Sequence, residues 1–396
     1  MNTNHRKNLY ILAFSLAVVM LGFGIVIPIL PFYVERLGAG GTELGLLIAS
    51  YAVMRLICGP LWGSLSDRVG RKPVLLVGIF GYGITMILFG LATKLWMLFV
   101  YRALSGILSS ATSPTTMAYI GDSTPEKERG QGMGILGAAV GVGTIFGPGL
   151  GGLLAGENLA TPFFIAGGMS FLALLLIWLF LPESLPVAAR QSPGEKKRLQ
   201  VREMWQAAAG SIGSLLLMAF LASFGLTAFF GIFGLYALQK YEAGPEAVGG
   251  IMLVFGLVTA VSQGLLAGPL TKHWGEKVVI QGSLAATAAG FLLISLASTY
   301  LTFLIAIGLF TLSIAILAPA VSALTSRQTT LEQGLTMGLS NAAQSLGRIA
   351  GPLLGGVAFD IQIEYPNYLG ATVIGIGFVV SLFAMIGVKT ELMEAK

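Results

Sequence analysis

One cysteine, Cys58, stands among 396 residues, so the chain can form neither an internal disulfide nor a cysteine metal cluster. Two histidines, His5 and His273, are too few for a histidine metal site. Charge is scarce too: Asp, Glu, Lys and Arg make up 10% of the chain, against roughly 25% in an ordinary soluble domain. No G-x-x-x-x-G-K-[ST] loop occurs, which argues against an ATP-driven pump. Gly132, Gly134 and Gly137 do spell G-x-G-x-x-G, but in an apolar helical run that follows no strand, so they read as helix packing. No serine, histidine and acid grouping points to hydrolysis. The chain is therefore expected to be no enzyme and to hold no metal or cofactor.

What is present is hydrocarbon. Hydrophobic residues make up 55% of the chain and mean hydropathy is +0.83. A bilayer core takes about 20 apolar residues per helix. Twelve such runs occur, at roughly 9–33, 43–65, 73–93, 95–117, 131–156, 162–182, 208–238, 246–271, 278–298, 300–325, 335–359 and 366–388. The sequence predicts an all-α integral membrane protein with twelve transmembrane spans.

The twelve fall into two sixes. Residues 133–152, "MGILGAAVGVGTIFGPGLGG", match residues 337–356, "MGLSNAAQSLGRIAGPLLGG", at eleven of twenty positions. The charged stretch "GSLSDRVGRKP" (63–73) repeats as "GPLTKHWGEKV" from residue 268, with Gly63 on Gly268, Gly70 on Gly275 and Lys72 on Lys277. The two offsets, 204 and 205, nearly agree. This implies an N-terminal six-helix bundle (1–182), a central loop (183–207) and a C-terminal bundle (208–396). Parallel halves of six spans with a midplane substrate site are a transporter plan.

Basic residues set the orientation. With the N-terminus cytoplasmic, seventeen of the 23 Lys and Arg fall on the cytoplasmic side and three outside. Arg55, Arg102 and Arg348 fall inside spans. This bias explains the +5 net charge without nucleic acid.

Two motifs carry a physical reading of their own. Gly143, Gly147 and Gly151 lie four apart, on one helix face that lets a neighbouring backbone approach closely. Pro148 removes a backbone hydrogen bond and bends the helix, and Gly152 follows. Together they suit a packed but bendable seam between the halves; simple close packing is the plainer alternative. In "GSLSDRVGRKP", Gly63 permits close approach and Gly70 a tight turn.

As a set these motifs resemble the major facilitator superfamily. "GSLSDRVGRKP" is similar to its loop signature between spans 2 and 3, and "YRALSG" (101–106) to the span 4 arginine motif of proton-coupled members. "GPGLGG" (147–152) resembles the span 5 antiporter motif of drug exporters. "GFGIVIPILP" (22–31) and "LPES" (181–184) fit the twelve-span drug:proton antiporters, with bacterial tetracycline and quinolone exporters similarly near. The resemblance implies a rocker-switch exporter driven by protons. It implies that Asp67 meets the start of span 11, near Gly334, and that Arg71 pairs with Asp122 to latch the cytoplasmic side, with Arg68 and Lys72 beside them. The plainer reading is that Arg68, Arg71 and Lys72 only fix topology. It also implies that Arg102 faces a central cavity and helps coupling.

One departure stands out. All 18 Asp and Glu fall in loops or at helix ends, eleven cytoplasmic and seven outside. Relatives often carry a carboxylate within span 1, 7, 9 or 10; here those neighbourhoods read Val19, Phe230, Ala285 and Ala315. The candidate proton carriers move to Asp122, first, then Glu35 or Asp360. The expected substrate cavity is apolar and aromatic: Phe220, Phe224, Phe230, Phe233 and Tyr236 on span 7, Asn341, Gln344 and Arg348 on span 11, and Tyr51 one turn from Arg55.

The first reading is a proton-coupled antiporter that exports hydrophobic drugs across a bacterial inner membrane. It acts as a monomer in the bilayer, with both termini cytoplasmic and no nucleic-acid partner. The alternative is a carrier of an anionic or lipid-like solute, favoured by three intramembrane arginines without an intramembrane acid.

Overall fold

A computed structural model describes residues 3–156, 158–190, 212–328 and 333–385. Among them there is no strand. A chain immersed in hydrocarbon must satisfy its own backbone, and the helix does so within one segment. The first three spans are Thr3–Arg36, Gly41–Val69 and Arg71–Gly90. The fourth is two helices, Leu95–Ser109 and Thr112–Ser123, joined at Ser110 and Ala111. The fifth and sixth are Glu126–Ala155 and Thr161–Phe180. The second half runs Gly213–Tyr241, Pro245–Val261, a π-turn Ser262–Leu266, Ala267–Leu296, Tyr300–Gln328, Gln333–Ile361 and Tyr365–Ala384.

Ala267–Leu296 holds the end of the eighth span and the whole ninth. Gly275 separates them with a left-handed φ of 78°. Its counterpart Gly70, at φ 110°, separates the second and third spans. Counted this way the described helices make twelve spans. Ten stretches are long and apolar enough to cross a membrane on composition alone, one of them running through Gly275. Gln333–Ile361 is missing from those ten, and it carries Asn341, Gln344 and Arg348.

The chain forms two compact units. One holds Met1–Ala39, Ser50–Lys197 and Gly244–Leu253; the other holds Gly40–Ala49, Arg198–Ala243 and Val254–Lys396. Each therefore takes in the start of one span from the opposite half. The basic residues Lys196, Lys197, Arg198 and Arg202 of the central loop lie outside the described residues.

Glycine decides the packing within each unit. A Cβ on Gly143 would stand 2.6 Å from Met20 Cβ, one on Gly147 2.7 Å from the Leu21 carbonyl, and one on Gly151 2.6 Å from the Ile25 carbonyl. So this face is pressed against the first span, inside its own unit. That corrects the expectation that the Gly143, Gly147 and Gly151 face forms the seam between halves. Gly152, on another face, packs against Gly249 at the start of the eighth span. The repeat does the same: Gly347 and Gly351 press on Phe224 and Ala228 of the seventh span, and Gly356 meets Gly41. Small residues at i and i+4 let backbones approach closely where hydrocarbon supplies no hydrophobic drive to associate.

Candidate functional site

The charged stretch between spans 2 and 3 is built around Arg71. Burial of the guanidinium (Arg71 is 7% exposed) demands partners, and it has three. Its Nη1 donates to Asp67 Oδ1 at 2.5 Å and to Ser66 Oγ at 2.7 Å, while Nε donates to Asp122 Oδ2 at 2.9 Å. Asp67 and Asp122, fifty-five residues apart in sequence, thus share one arginine. Arg68 is exposed, and the Lys72 ammonium donates to the Trp178 carbonyl at 2.8 Å. Gly70 takes the turn that its position in the motif predicts. Gly63 does not approach anything: a Cβ there would meet no atom within 4 Å, contrary to the expectation of close approach.

A residue outside the expected set completes this end. Glu183, from "LPES", receives four backbone N–H groups. Arg71 N, Ser184 N and Leu185 N donate to Oε1 at 2.9, 2.9 and 3.0 Å; Lys72 N donates to Oε2 at 3.1 Å. The first two amides of the third span have no acceptor within their own helix, and a carboxylate there also meets the positive end of the dipole. The Tyr119 hydroxyl donates to the neighbouring Pro182 carbonyl at 2.8 Å, tying the same corner to the fourth span.

The second half repeats the ion pair with its signs exchanged. Glu276, at the position of Arg71, pairs with Arg327 at 3.0 Å. Arg327 lies 205 residues after Asp122, the offset that relates the two loops, so the sequence held the signal that would have found it.

Deeper in the first unit lies a polar group of another kind. Arg102 is 2% exposed, buried inside the unit, where the resemblance had placed it on the wall of a cavity. Its guanidinium lies 4.5 Å from the centre of the Tyr51 ring and 5.9 Å from that of Phe23. The Tyr51 hydroxyl shares a 3.0 Å hydrogen bond with Ser109. Arg102 Nε and the hydroxyls of Tyr82, Ser105, Thr112 and Thr115 are buried without a hydrogen-bond partner. Arg55, half-buried one turn from Tyr51, lies with Arg102 within electrostatic reach of Tyr82.

The aromatic residues of the seventh span cluster in the second unit. Phe224, Phe233 and Tyr236 are 1%, 2% and 4% exposed; Phe224 packs on Phe220, while Phe233 and Tyr236 line a small cavity with Phe229, Phe291 and Asn367. Ring centres stand 5.8 Å apart for Phe220 and Phe224, 4.4 Å for Phe230 and Phe255, and 6.0 Å for Phe233 and Phe303. Phe220 and Phe230 remain half-buried. The Tyr236 hydroxyl donates to Glu364 Oε2 at 2.8 Å, and Lys240 Nζ donates to Glu364 Oε1 at 2.6 Å. Asn341, Gln344 and Arg348 share one helix face; Arg348 and Asn341 are exposed, and Arg348 donates to Gln344 Oε1 at 3.2 Å.

The proton-carrier candidates have separate settings. Asp122 is held by Arg71. Asp360 accepts from Gly41 N at 2.7 Å, Thr42 N at 2.8 Å and Thr42 Oγ1 at 2.5 Å, capping the start of the second span. Glu35 is exposed.

Two stretches, residues 12–213 and 215–392, match the description Major Facilitator Superfamily. The chain belongs to the Major Facilitator Superfamily. Within the superfamily it is similar to "Multidrug resistance protein 2" of Bacillus subtilis (strain 168), 32% identical over 94% of this chain and 94% of that one. It is 26% identical to "Quinolone resistance protein NorA" of Staphylococcus aureus (strain COL), over 95% of this chain and 96% of that one. A bacterial homologue of the human lysosomal transporter Spinster, solved inward-facing and occupied, shares the fold: TM-score 0.79, 15% identity, 95% of this chain and 96% of that one. As a superfamily member the chain is a multi-pass membrane protein, in keeping with its ten stretches long and apolar enough to cross a membrane.

Proposed function

We propose that this protein exports hydrophobic drugs or toxic small molecules across a bacterial inner membrane by alternating access, driven by proton entry. The observation that carries the reading is end-to-end similarity to proteins named for multidrug resistance, 32% over 94% of the chain in one case. The Lys and Arg bias supports cytoplasmic termini. The work such a protein does is movement of a solute, with no bond made or broken, so it is read as a transporter and not as an enzyme.

The Arg71 cluster is the cytoplasmic latch in this reading. One guanidinium holds Asp67 and Asp122 in place, so the end of the second span and the end of the fourth move as one body. The resemblance implies that Asp67 acts in the latch as a negative charge toward a helix N-terminus, where the dipole is positive. Asp122 is the proton acceptor of first choice: neutralising it removes half of the charge that fixes Arg71, which loosens Asp67 in turn.

Reconstitution into proteoliposomes with an imposed pH gradient tests this. Ethidium and tetracycline should accumulate against their gradients and stop when a protonophore is added. Gradient-driven movement of an organic anion alone would replace this reading with the anion-carrier alternative. Movement of no solute would end both.

A further inference from the structure

Arg102 sets a problem that its surroundings do not solve. A guanidinium stays charged in any protein. Burying an uncompensated charge is strongly destabilising. Arg102 is 2% exposed and makes no hydrogen bond or ion pair among the described residues. Its contacts with Tyr51 and Phe23 are cation–π contacts, which offset only part of that cost. Its Nε is buried without a hydrogen-bond partner.

The surroundings add to the positive charge. Arg55 is a second cation with no carboxylate among the described residues. Tyr82 stands within electrostatic reach of both arginines, 1% exposed, and its hydroxyl donates to nothing. Ser105, one turn along the span from Arg102, carries another buried hydroxyl without a partner. Among the described residues every acid lies in a loop or near a helix end, and none pairs with this group. Gly22 lets the Tyr82 hydroxyl take this position, since a Cβ there would stand 2.7 Å from its oxygen. Two cations thus lie within electrostatic reach of one buried hydroxyl, a set whose chemistry suits an anion.

We infer that Arg102, Arg55 and Tyr82 form a binding site for the carboxylate of a hydrophobic aromatic substrate. The inference deepens the exporter reading and rests on it. Arg102 offers the planar fork that matches a carboxylate in two parallel hydrogen bonds. Tyr82 supplies a third donor. Arg55, closer to the surface, draws the anion inward and shares its charge. The site belongs wholly to the first unit. The substrates so selected are planar acids and zwitterions, in which the ring supplies hydrophobic binding and the carboxylate supplies orientation.

The test compares 1-pyrenebutyrate with its methyl ester, which keeps the ring and loses the charge. Binding to the purified full-length protein in detergent is followed by pyrene fluorescence. The wild type should bind the acid about tenfold more tightly than the ester, the worth of one charge-assisted contact. R102Q and R55Q should each reduce that ratio toward one while ester affinity stays put, and R102K should keep part of it. Ester binding also reports that each variant is folded; should R102Q fail there, R55Q and the wild-type ratio decide. Equal binding of acid and ester by the wild type, or a full preference surviving in R55Q and R102Q, overturns the site. Ethidium export by the same protein in proteoliposomes separates the two claims: export without acid preference removes the carboxylate site and leaves the exporter, while loss of both removes both.

Discussion

Arg327 stands to Glu276 as Asp122 stands to Arg71. The pairs are 3.0 and 2.9 Å long, occupy equivalent places in the two halves, and carry opposite signs at each place. The contact is the same and the fields are reversed. Around Arg71 a second acid, Asp67, joins the pair; around Glu276 the equivalent residue is Lys272.

That difference predicts how each pair tolerates reversal. E276R and R327E should each lower drug efflux from cells, and the double variant should return it to within about twofold of wild type, because the geometry is kept. R71E with D122R should not recover, because Glu at 71 would face Asp67. Recovery by both double variants, or by neither, would show that the two loops are equivalent.

Asp67→Asn should abolish gradient-driven transport while membrane expression and ligand binding persist. The amide can still accept from Arg71, but it brings no charge to a helix end. Transport at the wild-type rate in this variant would remove Asp67 from the latch.

The two glycines of the loop should behave differently. G70A places a side chain at φ 110°, a region close to glycine-only, and drives its Cβ into Glu183; it should destabilise by about 1–3 kcal/mol and lower the melting temperature in detergent. G63A meets open space and should melt with the wild type.

Lys240 and Glu364 should show coupling in a double-mutant cycle. Their side chains are 20% and 17% exposed, and Glu364 also receives Tyr236 and Ser295. K240M leaves a half-buried carboxylate without its cation, at a cost of about 1–3 kcal/mol after allowing for partial exposure. Adding E364Q should restore part of the loss, so that the double variant melts above K240M. Strict additivity would mean that the pair contributes nothing.

The spans were legible because lipid enforces them: length and hydropathy leave little choice. Gly70 was legible because its turn is local. Gly63 was not, since a glycine's neighbours come from other helices. The rings between Phe220 and Tyr236 announce an aromatic helix, but no spacing says whether they line a cavity or stack on Phe255 and Phe303. Glu183 was named only as part of a fitting tetrapeptide. Its acceptance of amides from Arg71 and Lys72, more than a hundred residues away, is a product of tertiary folding alone.

Glu183 also dictates where the chain can be divided. The cap on the third span and the Tyr119 tie are both complete by Leu185. A gene split after residue 190 would leave each moored end on the fragment that needs it, and the two products could be made separately and mixed. A split before Leu181 would strip two amides of their acceptor and strand an acid on the wrong piece.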